Sequence, residues 1–166
     1  MNFSNRVCQM LHEEHRASIA LMERLEQLLG AHRRNRPDCT QTDVKRLLSD
    51  LATGIKDELE RHFEFEERRL FPYLATAGDE AIGNHLTDEH AAIRPLGHRV
   101  VELAQTGLVS GFDDRDFEEF RRLGQELCER TLTHVQKEEM ALLPLLEETM
   151  DAETDAALSQ CYAGNG

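Results

Sequence analysis

Apolar residues recur at helical spacing in four long stretches of this chain. The first, about residues 5–29, lines up Cys8, Leu11, His15, Ser18, Met22, Leu25 and Leu29 on one face, and the second, about 43–70, lines up Leu47, Leu51, Ile55, Leu59, His62, Glu66 and Leu70. The third, about 80–105, gives Ile82, Leu86, His90, Ile93, Gly97 and Val100. The fourth follows an N-cap at Asp113 or Asp114, runs to about residue 148, and gives Phe120, Leu127, Thr131, His134, Glu138, Leu142 and Leu145. Every stripe is mainly apolar, and every one is interrupted by a histidine.

Breakers separate the stretches. Gly30 precedes the polar run AHRRNRPDCTQ, Pro72 closes the second stretch ahead of ATAGD, and TGLVSGFDD precedes the fourth. Pro95 lies inside the third stretch, where a missing donor should kink the helix or free the carbonyl of Ala91. Asp151 is placed to cap a short fifth helix reaching Cys161, with the final AGNG expected to fray. The predicted architecture is all-α: an up-down-up-down four-helix bundle over residues 1–150, with a short C-terminal helix and tail at 151–166.

Composition narrows the function classes. The 166 residues suit one domain, and a formal charge of -13 argues against a nucleic-acid partner, whose phosphates call for clustered Lys and Arg. No apolar run of about 20 residues is present to span a membrane. The opening MNFSNRVCQMLHEEH shows no secretory pattern, so a cytoplasmic location is the expectation. The 4 cysteines form no C-x-x-C pair and read as free thiols, Cys8 and Cys128 in the core, Cys39 and Cys161 in a loop and a tail where exposure would allow oxidation.

The interruptions carry the chemistry. HFEFEERRLFP from His62 and HVQKEEMALLP from His134 repeat one spacing: His, Glu four residues on (Glu66, Glu138), a second Glu (Glu67, Glu139), then Pro72 or Pro144. Each copy follows a histidine that ends an acidic run, HEEH at His15 and DEH at His90. Positions four apart on a helix differ by about 40° in azimuth, so His62 with Glu66, and His134 with Glu138, face one cavity. Burying four imidazoles and two carboxylates unpartnered costs several kcal/mol each, and metal ions would satisfy all of them together. Imidazole with carboxylate suits iron, zinc or manganese, and six donors split by the repeat suit two ions. His12, His85 and His98 lie off these faces and read as surface or boundary residues, and Glu67 and Glu139 either face solvent and arginines or orient a ligand from behind.

These motifs resemble the hemerythrin-like proteins with an HHE cation-binding domain, over about residues 5–148. The resemblance implies a four-helix bundle holding two iron ions joined by an oxo or hydroxo group, with His15, His62, His90 and His134 as terminal ligands and Glu66 and Glu138 as bridges. Oxygen-carrying hemerythrins have a His-x-x-x-His pair on the third helix and one aspartate bridge. Here Leu86 and Arg94 flank His90 at that spacing, so a fifth histidine is missing unless His12 replaces it, which counts against simple reversible oxygen carriage.

The leading expectation is a non-haem di-iron protein that binds or reacts with dioxygen, hydrogen peroxide or nitric oxide, with catalase-like or oxidase turnover possible and His12, Glu67 or Glu139 as proton donors. The alternatives are an iron- or oxygen-responsive sensor or iron-handling protein, and a zinc-filled bundle with no redox role.

Overall fold

A computed structural model of the chain describes residues 3–164. Four long helices form the bundle. Helix α1 is Arg6–Ala31 and α3 is Ala81–Ser110. Helix α2, residues 42–76, begins as the α-helix Thr42–Asp57, passes through π-helical turns at Glu58–His62 and Glu66–Leu70, and ends as Phe71–Thr76. Helix α4, residues 114–149, is α-helical over Asp114–Lys137, π-helical at Glu138–Leu142, and α-helical again over Leu143–Thr149. A fifth helix, α5, is Ala152–Gly164 and packs on α1. No strand occurs among the described residues, and no helix there is long and apolar enough to cross a membrane.

The π turns explain how the stripes stay buried. From His62 through Glu66 and Leu70 to Leu74, and from His134 through Glu138 and Leu142 to Leu146, every step is four residues, and all eight side chains are buried. Three such steps in a regular α-helix would rotate the stripe by about 120°. Each π turn holds about one extra residue and takes up most of that drift. The second stretch therefore does not stop at Pro72; it continues to Thr76, with Pro72 in the first turn after the π segment, where the helix can spare its donor. In α4 the shifted register buries Leu143 and Leu146 and leaves the expected Leu145 only half-buried.

Asp113 caps α4, its Oδ1 accepting the Asp116 N–H at 2.7 Å, and Asp151 caps α5 by accepting from Thr154 N–H at 2.8 Å. Helix α3 runs through Pro95 without a break. Gly78 (φ 96°) and Gly111 (φ 75°) turn the chain at the ends of α2 and α3 in the left-handed region that side chains disfavour. Of the AGNG tail, Ala163 and Gly164 are helical, and the remaining two residues lie outside the described range.

Each of the four helices packs against its two neighbours around the bundle. The core divides in two. One cluster gathers Met22, Leu25, Leu51, Ile55, Val100, Phe120 and Leu127; the other gathers Cys8, Leu11, Leu70, Leu74, Leu86, Leu142, Leu146 and Tyr162. Between these apolar halves lie the buried His15, His62, Glu66, His90, His134 and Glu138.

Candidate metal centre

One histidine enters this layer from each helix, and the two glutamates enter from α2 and α4. His62 ends the first π turn of α2, Glu66 opens the second, and Glu138 opens the π turn of α4. All six side chains are at most 1% exposed. Two donor sets result, His15, His62, Glu66 and Glu138, and Glu66, His90, His134 and Glu138, each offering one atom per residue with all atoms within 4.8 Å of one another. The glutamates are shared atom by atom. Glu66 turns Oε1 to His62 Nε2 and Oε2 to His90 Nε2, both at 3.3 Å, while Glu138 turns Oε2 to His15 Nε2 and Oε1 to His134 Nε2, both at 3.0 Å.

These separations are short, but the groups do not point at one another. His15 Nε2, His62 Nε2 and all four carboxylate oxygens of Glu66 and Glu138 are buried without a hydrogen-bond partner among the described residues. Six orphaned polar atoms aimed at common points would be strongly destabilising in a purely structural core. A cation at each point satisfies them at once, so the donor set suits a metal centre.

The outer nitrogen of every imidazole meets a carboxylate from the next helix. Glu14 Oε2 faces His62 Nδ1 at 2.9 Å, Glu67 Oε1 faces His90 Nδ1 at 2.8 Å, Glu89 Oε2 faces His134 Nδ1 at 2.8 Å, and Glu139 Oε1 faces His15 Nδ1 at 2.6 Å. The circuit runs α1 to α2 to α3 to α4 and back to α1. An ionised carboxylate only accepts, so each Nδ1 carries a proton, and once any second proton leaves, each Nε2 turns a lone pair inward, the tautomer a metal requires. Each of these carboxylates has a further partner: Arg61 on Glu14 at 2.7 Å, Arg94 on Glu67 at 2.9 Å, His12 on Glu139 at 2.8 Å, and Lys137 on Glu89.

The electrostatics agree with that assignment. Burial pushes Glu14 up, but its bonds from His62, Tyr162 and Arg61 outweigh this and hold it at about 2. Burial and mutual repulsion oppose ionisation of Glu66, yet the facing His62 and His90 keep it below the usual carboxylate range. Burial likewise opposes charge on Glu138, and His134, His15 and His90 hold it well below that range. Aromatic rings shut out water on one side: Phe63 stacks on His90 with centroids 3.7 Å apart at 8°, and Phe71 lies 5.8 Å from the same imidazole.

All six residues expected from the sequence come together. His12 does not supply a fifth inward histidine, because its Nδ1 is spent on Glu139. His85 and His98 are exposed, as their positions off the stripe imply. Glu67 combines both anticipated roles, touching His90 and Arg94, whereas Glu139 touches His15 from behind and meets His12 rather than an arginine. Cys8 and Cys128 lie in the core, but Cys39, expected in an exposed loop, is buried at 8% exposure. Sequence reasoning missed Glu14, Glu89 and Tyr162. The first two had a signal: each immediately precedes a stripe histidine, as Glu67 and Glu139 immediately follow a stripe glutamate, and one residue along a helix turns the side chain about 100° toward the neighbouring helix.

No curated protein matches the chain. The description hemerythrin HHE cation binding domain belongs to the family model that matches residues 7–146, a range containing all four bundle helices' inward histidines and both shared glutamates. On that match and this geometry, the chain belongs to the hemerythrin HHE cation-binding family.

Proposed function

We propose that this chain is a non-haem di-iron protein that binds or reacts with dioxygen, hydrogen peroxide or nitric oxide. The observation that carries the reading is the pair of donor sets sharing Glu66 and Glu138, each glutamate giving one oxygen to either side. His15 and His62 would hold one ion, His90 and His134 the other, and the two carboxylates would bridge them. With two nitrogens and two oxygens per ion, positions stay open for a small molecule. A bound iron pair supplies two electrons and Lewis acidity at those positions.

The chain's own residues do the rest. Glu14, Glu67, Glu89 and Glu139 fix the imidazole tautomers and orientations. Phe63 and Phe71 with the surrounding leucines keep bulk water out, which strengthens every charge interaction inside. The contact from half-buried His12 to Glu139 and on to His15 gives protons a route from the surface to the rim of the site.

Metal quantification after anaerobic reconstitution tests this, followed by stopped-flow mixing with each candidate molecule. Two iron ions per chain, near-ultraviolet charge-transfer absorption after exposure to air and a saturable spectral change with one of the three molecules are expected. One zinc and no iron per chain in the purified protein would overturn it.

A further inference from the structure

The family match ends at residue 146, short of α5 at Ala152–Gly164. That helix is nevertheless built into the centre. Tyr162 is 2% exposed, and its hydroxyl donates to Glu14 Oε2, the same oxygen that faces His62 Nδ1 at 2.9 Å. The hydroxyl oxygen lies 3.2 Å from that Nδ1. The phenol ring stacks on Phe65 with centroids 4.2 Å apart, and the Arg61 guanidinium sits 4.6 Å above it. Arg61 in turn reaches the other oxygen of Glu14 at 2.7 Å.

The other end of α5 is tied down independently. Asp155 accepts the backbone N–H groups of Arg6 and Val7, both at 2.9 Å, and so caps α1, whose first turn has no acidic residue of its own. Among the described residues, the other three outer carboxylates take partners from the bundle helices: Arg94 on α3, Lys137 on α4 and His12 on α1. Glu14 is the one outer carboxylate that, among the described residues, receives a hydroxyl from outside them.

We propose that α5 latches the His15/His62 half of the centre, with Tyr162 as a positioning residue that holds Glu14 against His62. The inference rests on the metal-centre reading above. It makes the two halves inequivalent: loss of the hydroxyl loosens Glu14 and His62 and leaves His90, His134 and their carboxylates as they are.

Cobalt(II) titration of the full chain, followed by its visible absorption, tests the latch. Wild type should take up two ions. Tyr162→Phe, which keeps the ring stacked on Phe65, should bind one ion as before and the other about 10–100-fold more weakly, the cost of losing support behind a histidine ligand. Added to His90→Ala, which leaves only the His15/His62 pair intact, it should weaken the remaining ion by the same factor; added to His62→Ala, it should change nothing. Tyr73→Phe, whose hydroxyl donates to Thr149 O at 2.7 Å away from the centre, should titrate as wild type. If wild type takes two ions and Tyr162→Phe is superimposable, or weakens both equally, the latch fails and the metal centre stands. A wild type that takes up no cobalt or iron defeats both.

Discussion

His90 and His134 hold their Nε2 atoms 3.0 Å apart while each turns its Nδ1 outward to a carboxylate. With an Nδ1 proton outside on each ring, the two inward nitrogens face each other, which is favourable only with something positive between them, a proton or a cation. Two imidazoles each about 2.1 Å from one ion at right angles would be about 3 Å apart, so the spacing matches neighbouring ligands on a single cation.

The sharing of Glu138 between both halves sets the response to substitution. His90→Ala should cost one ion per chain, whereas Glu138→Ala should cost both, since its oxygens reach His15 and His134 alike. A metal present at a thousandfold excess over its Kd stabilises the fold by about 4 kcal/mol per ion, and that increment should vanish for both ions from thermal melts of Glu138→Ala and for one ion from those of His62→Ala. His98→Ala, on an exposed position, should melt and bind as wild type.

Support from behind the histidines should be worth affinity without changing stoichiometry. Glu89→Gln removes the charge facing His134 Nδ1 at 2.8 Å and should weaken metal binding about 10–100-fold in an equilibrium competition with a chelator. Retention of full affinity would show that the outer carboxylates only decorate the site.

Protons compete with the cation. Burial disfavours charge on His15 and His90, but Glu138 and Glu139 around the first, and Glu138 and Glu66 around the second, prevail and push both up to about 9 when no cation is bound. Raised above the ordinary value of about 6.5, these groups stabilise the cation-free fold fully below that pH and lose the contribution as pH rises through about 9. Metal needs the bare nitrogens. Adding metal at neutral pH should therefore release protons in a pH-stat, and apparent affinity should climb toward pH 9; a flat profile would contradict the protonated imidazoles.

Thiol reactivity separates the cysteines. Burial, with Glu147 and Asp155 nearby, pushes Cys8 up to about 12; burial and Glu26 do the same to Cys128; and burial raises Cys39. In the native protein a thiol reagent should label half-buried Cys161 first and leave the other three until denaturant is added. Rapid labelling of Cys39 would mean that the loop before α2 opens.

Close packing behind His90 can be tested at Gly83. A Cβ there would lie 2.8 Å from Phe71 Cβ and 3.1 Å from Cγ, atoms too near the α2 backbone to swing aside. Gly83→Ala should cost about 1–3 kcal/mol from overpacking against a helix-propensity gain of about 1 kcal/mol, a net loss of up to about 2 kcal/mol in denaturant titrations. Because Phe71 packs over His90, the His90/His134 half should bind metal less tightly as well.

Much of this was legible in the residues. Helix periodicity is local, fixed by the backbone of a few neighbouring residues, so the four stripes and the polar residues interrupting them follow from spacing alone. A buried His or Glu must be satisfied, which singled out His15, His62, Glu66, His90, His134 and Glu138 before any coordinates. The steps of four after His62 and His134 also held a warning that a regular α-helix would rotate them out of the core, and the π turns are its resolution. What spacing could not supply was which helix faces which, and at what height. The pairing of Glu14 with His62 and of Glu89 with His134, the burial of Cys39, and the arrival of Tyr162 from α5 depend on the stagger and crossing of helices remote in sequence. Those are set by the packing of whole surfaces, a property of the assembled bundle that no short window of the chain contains.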